Sequence, residues 1–113
     1  SRMRARESAL GRAELEAIVR EAGPVPDFAS ALRGPRVAVI AELKRSSPSK
    51  GTLDASLDAA DRTRRYVAGG AAALSILTEP SRFGGSLADL RDARAAVPVP
   101  LLRKDFITHE VQL

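Results

Sequence analysis

The stretch VIAELKRSSPSKG, Val39–Gly51, starts as an apolar run and ends in a Ser/Pro/Gly turn, yet it carries Glu42 and Lys44 where a buried strand should stay apolar. Together with the residues before it, RVAVIAEL, it predicts a first strand over Val37 to Glu42, buried on both faces as in a parallel sheet. SSPSKG then reads as a turn-rich loop, and SLDAADRTRRYVAGG as a helix closed by Gly69 or Gly70. AALSIL predicts a second buried strand over Ala72 to Leu77, followed by the loop TEPSRFGG. In SLADLRDARAAV, Ser86 and Asp89 have capping-box spacing at the start of a helix. PVPLLRKDF gives a third strand around Pro100 to Arg103, and THEVQL starts another helix with Thr108 as its cap.

This β-α-β-α-β-α order implies parallel strands joined by right-handed helical crossovers, an α/β protein. Ahead of it, MRARESALGRAELEAIVREAG places Leu10, Ala13, Ala17 and Ile18 at helical spacing and stops at Gly23-Pro24, and Asp27 caps a short helix FASALRG. The expected division is a helical extension over 1–36 and an α/β body over 37–113. The chain begins with Ser1 and stops at Leu113 inside what reads as a new helix, so a fragment of a larger sheet or barrel is expected.

At 113 residues and 44% hydrophobic content, one domain is the natural size. No apolar run approaches the roughly 18 residues of a membrane span, and no secretory signal pattern is present, so a cytoplasmic protein is expected. The absence of cysteine excludes a disulfide scaffold, a thiolate metal site and a cysteine nucleophile, and the single histidine, His109, leaves no histidine metal cluster. Chemistry must come from Lys, Glu, Asp and Ser. A net charge of +4 suits nucleic acid in principle, but acids alternate with the bases along helix faces and only 4% of residues are aromatic. An anionic small substrate fits that charge equally well, and nucleic acid is not expected as a partner.

Residues two apart in a strand share a face, so Glu42 and Lys44 point the same way, as do Lys104 and Phe106. Both pairs sit at strand C-terminal ends. In a (β/α)₈ barrel this is the rim that carries active sites, where two lysines and a glutamate would converge. The plain alternative is a structural ion pair between Glu42 and Lys104. Two ammonium groups beside one carboxylate favour function, because such crowding eases proton donation by an amine. Ser47 and Ser49, with nearby backbone N–H groups, suit an anion in the loop, whereas Lys50 is expected in solvent. Phe83 and Phe106 are weighed between rim packing and a ligand wall. Arg103 and Asp105 face away from Lys104 as a structural pair, Glu79 is a loop contact, and His109 is solvated or neighbours a cap.

Three motifs in order, VIAELKRSSPSKG, LSILTEPSRFGGSLADL and PLLRKDFI, make the chain resemble the indole-3-glycerol-phosphate synthase family from its leader helices to Leu113. The resemblance implies a (β/α)₈ barrel, of which this chain holds the N-terminal extension and about the first three βα units. It implies ring closure of 1-(o-carboxyphenylamino)-1-deoxyribulose 5-phosphate with loss of carbon dioxide and water, without metal or organic cofactor. It assigns Lys104, Glu42 and Lys44 to catalysis, Ser47 to the substrate loop, and Phe83 and Phe106 to the aromatic pocket. A further glutamate and the phosphate-binding loops of the family have no match in this sequence. Other readings are a different phosphosugar-binding barrel, with another acid/base set, or a non-catalytic half-barrel that pairs with a complementary half or self-associates through its open edges.

Overall fold

The computed structural model describes residues 11–113. Leu10 and the rest of the N-terminal helical reading before Gly11 lie outside the described residues. The chain divides into two compact units. One takes in residues 11–25 and Phe106–Leu113; the other is Pro26–Asp105.

In the first unit, α1 (Arg12–Ala22) ends at Gly23, whose φ of 73° suits a residue without Cβ. Ile18 on this helix is 51% exposed. The expected C-terminal helix is a single 3₁₀ turn, Glu110–Gln112, and its N-cap is His109 rather than Thr108. Gln112 explains the shift: its buried Oε1 accepts the N–H groups of both Thr108 and His109, which holds the turn one residue later.

The second unit opens with α2 (Phe28–Leu32), capped as expected by Asp27, whose carboxylate accepts the Ser30 N–H. Strand β1 (Ile40–Leu43) is followed by a small antiparallel hairpin, β2 (Ser46–Ser47) with β3 (Gly51–Thr52), where the sequence reads only as a loop. Helix α3 (Ala59–Ala68), capped by Asp58, leads to β4 (Ala73–Leu77). A short helix α4 (Pro80–Phe83) replaces the expected loop and precedes α5 (Leu87–Ala96) and β5 (Leu101–Lys104).

Strands β1, β4 and β5 form a parallel sheet in that order, with Glu42 opposite Ser75, Ser75 opposite Leu102, and Leu77 opposite Lys104. One face packs under α3 and α5. There Leu43, Leu74 and Ile76 join Leu57, Ala59, Ala93 and Val97 in the core. The central strand β4 is buried throughout. The outer strands are not, contrary to the expectation for the first: Ile40 is 45% exposed and Leu102 is 47% exposed. Among the described residues each outer strand pairs on one side only; on the face turned from α3 and α5, Ala73, Ser75 and Leu77 of β4 are nevertheless buried, and α2 contacts β4. No helix among the described residues is long and apolar enough to cross a membrane.

Candidate active site

Period-two alternation assigns the two sheet faces. Ala41, Leu43, Leu74, Ile76 and Leu101 look toward the helices. Glu42, Ser75, Leu77, Leu102 and Lys104 therefore share the other face. Three strands thus deliver one polar side chain each to a common face, Glu42 and Lys104 at the C-terminal ends of β1 and β5 and Ser75 in the middle of β4.

Glu42 is the hub. Its Oε2 accepts a hydrogen bond from Lys104 Nζ at 3.0 Å and another from Ser75 Oγ at 3.0 Å. Its Oε1 lies 3.5 Å from Lys44 Nζ. The spacing argument for Glu42, Lys44 and Lys104 is matched by this arrangement. Partial burial by itself pushes the Glu42 carboxyl up, but hydrogen bonds from Lys104 and Ser75 and the charges of Lys104 and Lys44 outweigh it and hold the group below its ordinary value. Glu42 is therefore an anion at neutral pH, fit to accept a proton and to orient cations.

The Lys104 side chain is 53% exposed, so the pair with Glu42 is an open one. Pairs of that kind contribute about 0–1 kcal/mol, too little to account for two cations gathered on one carboxylate. An accessible amine hydrogen-bonded to an anion has an obvious chemical use: it can turn to a substrate oxygen.

The loop after β1 is held from two directions. Arg45 donates through Nε and Nη2 to both carboxylate oxygens of Asp89 at 2.9 and 2.8 Å, and through Nη1 to the carbonyl of Ala55. Asp89 raises the Arg45 guanidinium further above its already high value, chiefly by this hydrogen-bonded contact. The capping-box spacing is thus half realised: Ser86 Oγ accepts the Asp89 N–H, while the Asp89 carboxylate serves Arg45 instead of the cap backbone. Ser47 is buried in the hairpin, where its Oγ accepts the Lys50 N–H at 3.2 Å and lies 3.5 Å from Ser49 Oγ. Lys50 is exposed, as expected.

Phe83 ends α4, half-buried, beyond the C-terminal end of β4. Glu79 fixes that helix. Its buried carboxylate accepts the N–H groups of Ser81, Arg82 and Phe83 as well as the Ser81 hydroxyl. Burial pushes this carboxyl up, and the hydrogen bonds from Ser81, Arg82 and Phe83 overcome that and lower it. Phe106 belongs to the other unit, where its carbonyl accepts from Gln112 Nε2. Arg103 and Asp105 do pair on the helix-facing side, 3.6 Å apart, with Thr78 donating to Asp105 at 2.8 Å. A depression of about 300 Å³ beside Val39, Ala41, Tyr66 and Ala71 also lies on that side, away from the cluster.

Sequence reading missed Ser75, and took Glu79 for a loop contact where it is the cap of α4. The signal for Ser75 was a lone hydroxyl in the otherwise apolar ALSIL; its meaning depends on which residue stands across the sheet. The signal for Glu79 was an acid directly before a proline at the first helical position.

Among known proteins, the family model described as indole-3-glycerol phosphate synthase matches residues 1–113. The chain is 54% identical over 108 residues to the indole-3-glycerol phosphate synthase of a Nocardioides species, covering 96% of this chain and 42% of that protein. It is 56% identical over 100 residues to indole-3-glycerol phosphate synthase 1 of Streptomyces coelicolor, covering 88% and 37%. The Mycolicibacterium gilvum protein of that name is 50% identical over 109 residues, covering 96% and 40%. The chain thus spans about two fifths of the length of these curated relatives.

Proposed function

The chain belongs to the indole-3-glycerol phosphate synthase family, and from that premise we propose that the whole protein closes the indole ring of its product. The substrate is 1-(o-carboxyphenylamino)-1-deoxyribulose 5-phosphate. The observation that carries the reading is the gathering of Lys104, Lys44 and Ser75 on the single carboxylate of Glu42, at the C-terminal ends of parallel strands.

Ring closure requires the ring carbon bearing the carboxyl group to attack the ketone carbon of the ribulose chain. Lys104 donates a proton to the ketone oxygen as it takes up charge, turning it into a hydroxyl. Loss of carbon dioxide leaves its bonding electrons in the ring and restores aromaticity. The hydroxyl then departs as water with a proton supplied by Lys44, and Glu42, held as an anion, accepts the proton that the forming five-membered ring gives up. Lys44 anchors a substrate anion and is the second available acid. Phe83 walls the aromatic ring, and Ser47 belongs to the loop over the substrate; Phe106 joins the ring wall on the strength of family resemblance alone. Folding the ring against the ketone is a proximity effect that can contribute several kcal/mol, on the order of 7 or more in the best cases.

The same reading covers architecture. Residues 37–113 supply about the first three βα units of a (β/α)₈ barrel and 1–36 its helical extension, in a cytoplasmic enzyme. Supporting this, the face bearing Glu42 is the one turned from α3 and α5, and both outer strands keep an unpaired edge among the described residues of the second unit. In a closed barrel that face becomes the interior and its C-terminal rim the site. The test is product fluorescence, with release of carbon dioxide, on the whole protein given the proposed substrate. A folded protein that forms no indole product overturns the reading.

A further inference from the structure

Ser75 has no obvious structural reason to be polar. It sits at 4% exposure in the middle of β4, flanked by Leu74 and Ile76, both with no exposure at all. A hydroxyl buried there without a partner costs free energy, and alanine or valine would pack the strand as well. Its register partner is Glu42, and its Oγ donates to Glu42 Oε2 at 3.0 Å, the same oxygen that accepts from Lys104. Of these two donors Ser75 is the buried one, on the central strand. Lys104 is half-exposed on an outer strand and must swing to the ketone oxygen to act, and at that moment Glu42 loses its strongest partner.

We infer that Ser75 is a positioning residue: its hydroxyl keeps the Glu42 carboxylate aimed and anionic while Lys104 is engaged with substrate. This rests on the roles proposed above for Glu42 and Lys104. A hydrogen bond donated to the charged form favours that form, so removing it should raise the pH at which Glu42 becomes active.

The test compares kcat/KM against pH for the whole protein with Ser75→Ala, Ser75→Thr and Glu42→Gln, and Ser75→Ala in the Glu42→Gln background. Ser75→Ala should lower kcat on the order of tenfold with little change in KM, and move the acidic limb upward by roughly half a unit or more. Ser75→Thr, which restores a hydroxyl, should recover both. In the Glu42→Gln background the second substitution should add no further loss, because its effect passes through the missing carboxylate. A folded Ser75→Ala enzyme with an unmoved limb and wild-type kcat overturns the inference, as do losses that add in the double variant. Should Ser75→Ala not fold, Ser75→Cys keeps the shape with a weaker donor and should show a smaller shift in the same direction; no shift counts against the inference. A fully active Glu42→Gln enzyme instead removes the underlying role of Glu42, a distinct failure.

Discussion

Glu42 meets two hydrogen-bond donors and a further ammonium group through its two oxygens, and each contact comes from a different place in the chain: Lys44 two residues on, Ser75 across one strand, Lys104 across two. Removing its charge while keeping its shape isolates the proposed chemical role. Glu42→Gln should leave folding intact and cut turnover by roughly 100-fold or more, measured as product formation beside a far-ultraviolet spectrum. Because the Glu42 carboxyl is held below its ordinary value and is needed as an anion, activity should persist down through mildly acidic pH and fall only below the usual carboxylate range. A quite different constraint acts at Gly85. A Cβ built there would lie 2.0 Å from the Leu77 carbonyl oxygen, which is backbone and cannot swing away. Gly85→Ala should therefore cost on the order of 3 kcal/mol, read as a shifted denaturation midpoint, and disturb the loop leading to α5.

At the scale of elements, α4 is a single turn that has no length to stabilise itself, and Glu79 stands in for that length by capping it. Glu79→Ala should cost about 1 kcal/mol or more. The sign with pH follows from its lowered carboxyl: the stabilisation is complete above the unfolded value and is lost as pH falls through the lower folded one. Urea denaturation at about pH 7 and about pH 3 should show the gap between wild type and Glu79→Gln closing at the acidic end. Asp89 ties α5 to the loop after β1; Asp89→Ala strands a partly buried guanidinium and should destabilise by about 2–3 kcal/mol, with faster amide exchange in Leu53 and Asp54, whose N–H groups bond Arg45. The elements with long hydrophobic periodicity or a clear cap, α3, β4 and α5, were legible in the sequence for that reason. The β2–β3 hairpin was not, since two-residue strands of Ser, Gly and Thr carry no alternation. Glu42, Lys44 and Lys104 were found because strand parity and strand ends suffice to bring them together. Ser75 required the register, which emerges only once the strands are paired.

For the molecule as a whole, the second unit leaves two strand edges open among the described residues, with Val39, Ile40 and Leu102 each about half exposed. Isolated as 113 residues, the chain should self-associate, visible in sedimentation as species larger than the 12.0 kDa monomer; a monodisperse, cooperatively unfolding monomer would contradict this. In the whole protein the sheet face bearing Glu42 is proposed as the barrel interior, and the amine of Lys104 as the acid at its rim. The most direct test is the turnover of Lys104→Ala in the whole protein, followed by indole fluorescence with folding verified in parallel. Loss of roughly 100-fold or more in a folded enzyme is the expected result, and a folded variant that closes the ring at the wild-type rate would contradict the account.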